Sequence, residues 1–198
     1  MKYLGIHHLA MATSDMDKTI SFWRDLLGMR LVAGLGKPGA RQYFFEISEG
    51  SLLGFFEWKT VEPVQEKDHG YPASGPLVFD HVSFEVSSDE DLWDLMDKLD
   101  AAGFWVSEII DHGFIHSLYS FDPNGVAIEF SSNVEGVDLR RAPMMLDSEP
   151  THLTREGPEP HPERWPRVRP GSPQDRSIYP GEGLEFVQGK KKNWWAKP

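Results

Sequence analysis

His8-Leu9-Ala10-Met11-Ala12-Thr13-Ser14-Asp15 and His81-Val82-Ser83-Phe84-Glu85-Val86-Ser87-Ser88 are two versions of one segment. Each opens on a histidine and alternates with the period of two expected of a half-buried strand. Each ends in hydroxyl or acidic residues, which start helices well. The repeat continues beyond them. Met16, Ile20, Trp23 and Leu27 in the first copy, and Leu92, Leu95, Met96 and Leu99 in the second, recur at three- and four-residue intervals. That spacing puts apolar side chains on one helical face. Ser88 and Asp91 approximate a capping box. Gly28 and Gly103 stand where a helix C-terminus takes a left-handed residue.

Short strands are predicted after each helix, near 31–32, 43–47 and 52–58 in the first copy and 105–109, 117–121 and 126–130 in the second. Asp122-Pro123-Asn124-Gly125 reads as the turn joining the last two, because proline pre-sets the first turn angle and Asn-Gly tolerates positive φ. The expected organisation is a β-α-β-β-β module at 1–61, a linker at 62–78, and a second β-α-β-β-β module at 79–135. The expected fold class is α+β, with the paired modules forming a cupped mixed sheet around a central site. From residue 136 the periodicity stops, and ten of the chain's 15 prolines fall in 136–198. Proline at that density opposes both helix and sheet ladders. Trp165, Tyr179, Phe186, Trp194 and Trp195 favour an ordered, extended arm over a disordered tail.

The chain has 198 residues, 39% hydrophobic content and a formal net charge of -11. Residues 1–135 carry 9 Lys+Arg against 22 Asp+Glu, and residues 136–198 carry 11 against 9, so a mildly basic tail follows an acidic body. This balance argues against a nucleic-acid partner or an anionic membrane surface. No apolar run approaches the roughly 20 residues of a membrane span. No signal-peptide pattern is present at the N-terminus. With no cysteine there is no disulfide, thiolate nucleophile or sulfur-ligated metal, which fits a cytoplasmic protein.

The repeat also duplicates chemistry. His8 and His81 open equivalent strands. Glu57 and Glu129 lie at matching offsets near the ends of the modules' last strands. A lone histidine at a strand start is usually structural, and a strand glutamate often faces water. Two of each at corresponding positions instead point to one divalent ion, with Glu57 the less certain ligand. Nitrogen and carboxylate donors suit Fe(II), Mn(II), Ni(II), Zn(II) or Co(II), whereas calcium wants more oxygens. His7 competes with His8, but the match of His8-Leu9-Ala10-Met11 to His81-Val82-Ser83-Phe84 selects His8.

Around these residues the chain resembles the glyoxalase/bleomycin-resistance/extradiol-dioxygenase (vicinal oxygen chelate) superfamily, over about 1–132. The resemblance rests on the two histidine strands, on Phe22-Trp23-Arg24-Asp25-Leu26-Leu27-Gly28-Met29, and on Asp122-Pro123-Asn124-Gly125 followed by Glu129. It implies a small-molecule substrate that chelates the metal through vicinal oxygens, and members that often dimerise. A homodimer, with the aromatic arm as a candidate element for it, is an expectation. The stretch from His112-Gly113 through Tyr119 to Glu129 resembles the C-terminal signature of ring-cleaving extradiol dioxygenases. That implies two histidines and one carboxylate on Fe(II), with His112 as acid/base and Tyr119 as its hydrogen-bonding partner. His116 is a weaker candidate, and His69 a weak match for the further histidine those enzymes carry. The alternative is a glyoxalase I-like lyase or acyl-CoA epimerase using Glu57 as a fourth ligand. A third reading is a binding protein without chemistry.

Overall fold

The computed structural model describes residues 6–37, 40–67, 69–72 and 79–139, and beyond these 141–144, 146–149, 152–161, 164, 176–181, 184 and 188. The chain divides into two compact units, Met1–Val137 and Asp138–Pro198.

The first unit holds both modules. The first comprises β1 (His8–Thr13), α1 (Met16–Ile20), β2 (Arg30–Lys37), β3 (Ala40–Ser48) and β4 (Ser51–Glu57). The second comprises β5 (Val82–Glu85), α2 (Asp89–Ala101), β6 (Ile110–Asp111), β7 (Ile115–Phe121) and β8 (Ala127–Asn133). Each sheet has four strands, ordered β1-β4-β3-β2 and β5-β8-β7-β6. In each, the histidine strand lies parallel to the last strand and the remaining pairs are antiparallel. The chain is therefore an α+β protein of two β-α-β-β-β modules. Within it the two sheets share no hydrogen-bonded strand pair, so β1 and β5 are edge strands among the described residues.

Caps account for the helix starts. The Asp15 side chain accepts from Lys18 N–H at 3.1 Å. Ser88 Oγ accepts from Asp91 N–H at 3.3 Å, while the Asp91 carboxylate reaches past the cap to accept from Ser87 N–H at 3.1 Å, a variant of the capping box. α1 continues as π-helical turns over Ser21–Leu26, where the 3.6-residue spacing predicts one uninterrupted α-helix. The wider turn leaves Phe22 and Trp23 both buried. Trp23 packs on Phe55 (5.9 Å between centroids) in its own module and on Phe84 (5.5 Å) in the other. Phe22 packs on Phe104 at 4.7 Å. One hydrophobic core thus spans both modules. Truncating a buried ring of this size typically costs about 3–5 kcal/mol.

The strand expected near 105–109 is reduced to a single bridge, Val106 to Ser120. Ser107 N–H donates to the Tyr119 carbonyl at 3.0 Å, but Tyr119 N–H donates to Ser107 Oγ at 2.9 Å rather than to a backbone carbonyl. A side chain has replaced one rung of the ladder. The Asp122 turn forms as expected: Asp122 accepts from Asn124 and Val126 N–H at 2.8 and 3.0 Å. The linker crosses this turn, with Val64 N–H donating to the Asn124 carbonyl at 2.8 Å. Gly125 is required on two counts. Its φ is +76°, and a Cβ there would sit 2.3 Å from the Val64 carbonyl oxygen.

In the second unit, Thr154–Glu156 forms a 3-10 turn. Among the aromatics expected to anchor an arm, Tyr179 is exposed, and Trp165, Phe186, Trp194 and Trp195 lie outside the described residues. Among the described residues, no helix is long and apolar enough to cross a membrane.

Candidate functional site

β7 and β8 set the centre of the site. Their register places Tyr119 opposite Glu129, and the β5–β8 register places Ser83 beside Glu129, so these side chains share a face. His81, immediately before β5, reaches the same place: its Nε2 lies 3.2 Å from Glu129 Oε2. The Glu129 side chain is 4% exposed and that of His81 31%. The other ring nitrogen of His81 faces Asp80, with Nδ1 to Oδ1 at 2.5 Å. Asp80 also accepts from Lys67 Nζ at 2.7 Å and Gly70 N–H at 3.0 Å. The Lys67 ammonium first, then the His81 and Gly70 hydrogen bonds, hold this carboxyl well below the usual range.

His112 Nε2 is 2.9 Å from the Tyr119 hydroxyl. Burial, and then the Glu129 charge, push the Tyr119 phenol up, which favours its protonated form. His69, from the linker, completes the cluster. Its ring lies 4.6 Å from Tyr119, 5.8 Å from His81 and 5.1 Å from Phe121, and stacks on Trp105 at 6.3 Å. Its Nε2 is 3.0 Å from the Ile128 carbonyl, which can only accept, so that nitrogen carries a proton. Burial pushes the His69 pKa down, favouring the neutral ring. The sequence signal for His69 was faint because linker residues have no periodicity to place them.

His8 is elsewhere. It is exposed at the start of β1, its Nδ1 2.9 Å from that of His7 and its ring edge-on to Phe44 at 6.0 Å. Among the described residues no group of three or more His, Asp or Glu side chains is arranged to hold a metal within one chain. The expectation that His8, His81 and Glu129 meet assumed that the two sheets join within the chain, and they remain separate. Glu57 is committed to its own surroundings. It is buried, accepting from Lys59 Nζ at 2.8 Å, from Met16 N–H at 3.2 Å and from Arg41, which stands opposite it in the β3–β4 register. Burial alone would raise its pKa, but Lys59, the Met16 amide and Arg41 together hold it down.

His116 lies on the opposite face of β7 from Tyr119. Nδ1 meets Asp89 at 2.9 Å, tying β7 to the start of α2, and Nε2 is 3.7 Å from Asp111. The Asp89 hydrogen bond raises the His116 pKa above 6.5, against a smaller opposing effect of burial. The folded chain therefore binds this proton more tightly than the unfolded chain. That stabilisation is complete below pH 6.5 and is lost as pH rises through the higher folded-state pKa. The Tm advantage of the wild type over His116→Gln should accordingly shrink from pH 6 to pH 9 in thermal melts. A pH-independent difference would rule out the ion pair as its source.

Comparison with known proteins agrees with this architecture. Residues 5–130 match the Glyoxalase/Bleomycin resistance protein/Dioxygenase superfamily. The glutathione transferase FosA of Serratia marcescens is 30% identical over 130 residues, covering 63% of this chain and 78% of that protein. A glyoxylase/bleomycin resistance protein/dioxygenase domain from Frankia sp. EAN1pec superposes with a TM-score of 0.57 at 20% identity, covering 69% of this chain and 96% of that one. FosX, a fosfomycin resistance protein from Listeria monocytogenes solved with Mn(II) and sulfate, superposes with a TM-score of 0.51 at 17% identity, covering 68% and 96%. The chain belongs to the glyoxalase/bleomycin resistance protein/dioxygenase superfamily.

Proposed function

We propose that this chain is a metal-dependent enzyme acting on a small molecule with vicinal oxygens, and that its reaction is extradiol-type opening of a catechol-like ring. The carrying observation is the hydrogen-bonded His112–Tyr119 pair beside His81 and Glu129, with His69 against the same tyrosine. An isomerase with four protein ligands has less support, because Glu57 is already paired with two cations.

The donor chemistry fits a divalent metal. His81 Nε2 and Glu129 Oε2 converge, and Asp80 orients the imidazole from behind, as carboxylates behind ligating histidines do. Fe(II) is the favoured ion, with Mn(II), Ni(II), Zn(II) and Co(II) as alternatives. The third donor in this reading is His8 from a second copy. It is exposed on an edge strand, and the strand that follows His81 is an edge strand too. In a two-fold dimer the same exchange would complete both centres.

When bound, the metal supplies chelation of the two substrate oxygens and a route for electrons from the diol to O2. The chain's own groups manage protons and orientation. Neutral His69 accepts a hydroxyl proton from the diol. Tyr119 keeps its phenolic proton and donates to His112. His112 acts as the acid/base beside the ring. Both oxygen atoms of O2 enter the product as one ring carbon–carbon bond opens, so no external reductant is needed.

A second reading, metal-assisted transfer of glutathione, is favoured by the relative from Serratia marcescens. The two separate in one experiment. Protein loaded anaerobically with Fe(II) should, on addition of catechol and air, take up O2 and form a yellow ring-opened product. No O2 uptake, together with glutathione consumption when Mn(II)-loaded protein meets fosfomycin, would replace the first reading with the second.

A further inference from the structure

Asp80 joins two parts of the chain that the strand ladders do not connect. Its Oδ1 meets both His81 Nδ1 (2.5 Å) and Gly70 N–H (3.0 Å), while Oδ2 takes the Lys67 ammonium (2.7 Å). Lys67 and Gly70 flank His69 in the linker, and His81 is the residue from which β5 departs. The Lys67 side chain is 22% exposed and that of Asp80 42%, so the pair is shielded at its lysine end and open to solvent at its carboxylate. The Asp80 carboxylate also sets the tautomer of His81. A carboxylate only accepts, so Nδ1 carries a proton and Nε2 is left to face Glu129.

We propose that Asp80 is a positioning residue that fastens the linker to the site strand, so that His69 and His81 are held as one unit. Metal affinity and linker order are then coupled through a single carboxylate. In the chain without Asp80, His81 loses the partner that aims Nε2, and the linker keeps its contacts with β7, β8 and the Asp122 turn. The metal half of this inference rests on the proposed function above. The linker half does not.

The test uses the full chain and Co(II) as the probe. Asp80→Ala should weaken Co(II) binding about 10–100-fold, the usual cost of losing the group behind a ligating histidine, and alter the visible Co(II) spectrum. Amide hydrogen exchange in the metal-free protein should speed up tenfold or more in peptides spanning Lys67 and Gly70, with α2 unchanged. Lys67→Met removes the ammonium from Asp80 Oδ2 and leaves His81 its carboxylate. Coupling predicts that it too weakens Co(II), by a few-fold, and that Lys67→Arg restores binding. Unchanged linker exchange in Asp80→Ala, or unchanged Co(II) affinity in Lys67→Met, would overturn the proposal. If the wild type itself binds no Co(II), the metal reading and the coupling fall together. Faster linker exchange in Asp80→Ala would then support a linker staple alone.

Discussion

Mixing His8→Ala chains with Glu129→Gln chains should restore about one quarter of the wild-type metal sites. Each variant alone should bind metal more than about 100-fold more weakly than the wild type, since losing a ligand costs at least as much as losing the group behind one. If the third donor comes from a second copy, random reassortment makes half of the dimers mixed. Each mixed dimer has one centre with both defects and one with none. Co-refolding the variants and measuring bound metal and O2 uptake reads this directly. The arithmetic follows from the geometry: Glu129 sits 3.2 Å from His81 in the same module, whereas His8 stands exposed in the other sheet. Absence of recovery, with each variant still folded, would place the third donor within one chain. Full metal binding by His8→Ala would remove His8 from the centre altogether.

The second large effect separates proton handling from metal binding. His112→Phe should lower kcat by about 10²–10⁴, the range for losing a positioned acid/base, with metal affinity changed by no more than a few-fold. Tyr119→Phe should lower kcat less, by about 10–100-fold, because it removes a hydrogen bond to the reacting group rather than the group itself. The double variant should be little worse than His112→Phe. Residues joined by a 2.9 Å hydrogen bond act as a unit, and their losses do not add. Steady-state kinetics at saturating metal, with metal content measured on the same samples, is the check. Strict additivity of the two losses, or metal loss in His112→Phe, would dismiss the pair as a catalytic unit.

Much of the fold is legible in the residues. The duplicated histidine strands, the Asp15 and Ser88 caps and the Asp122 turn encode local geometry, and local geometry is what a chain writes most directly. Alternation also indicates which side chains of one strand share a face, whereas Tyr119 and Glu129 are linked by the family resemblance and are set opposite each other by the β7–β8 register. The strand expected near 105–109 is cut to one bridge because Ser107 Oγ takes over a backbone rung, and a side-chain substitute of that kind has no periodicity.

The sequence by itself determined two β-α-β-β-β modules, their caps and turns, and a chemistry of imidazoles and carboxylates at matching ends. Only the tertiary structure decided which of those groups meet. Trp23 and Phe22 join the modules through a shared core while the sheets share no ladder, and the His8 ring meets His7 and Phe44 rather than His81. Arg41 reaches Glu57 across β3 and β4, and the folded-back linker delivers His69 to Tyr119. The reason is physical. Periodicity reports which face of an element is buried, whereas partners across elements depend on how those faces pack, which no local pattern encodes.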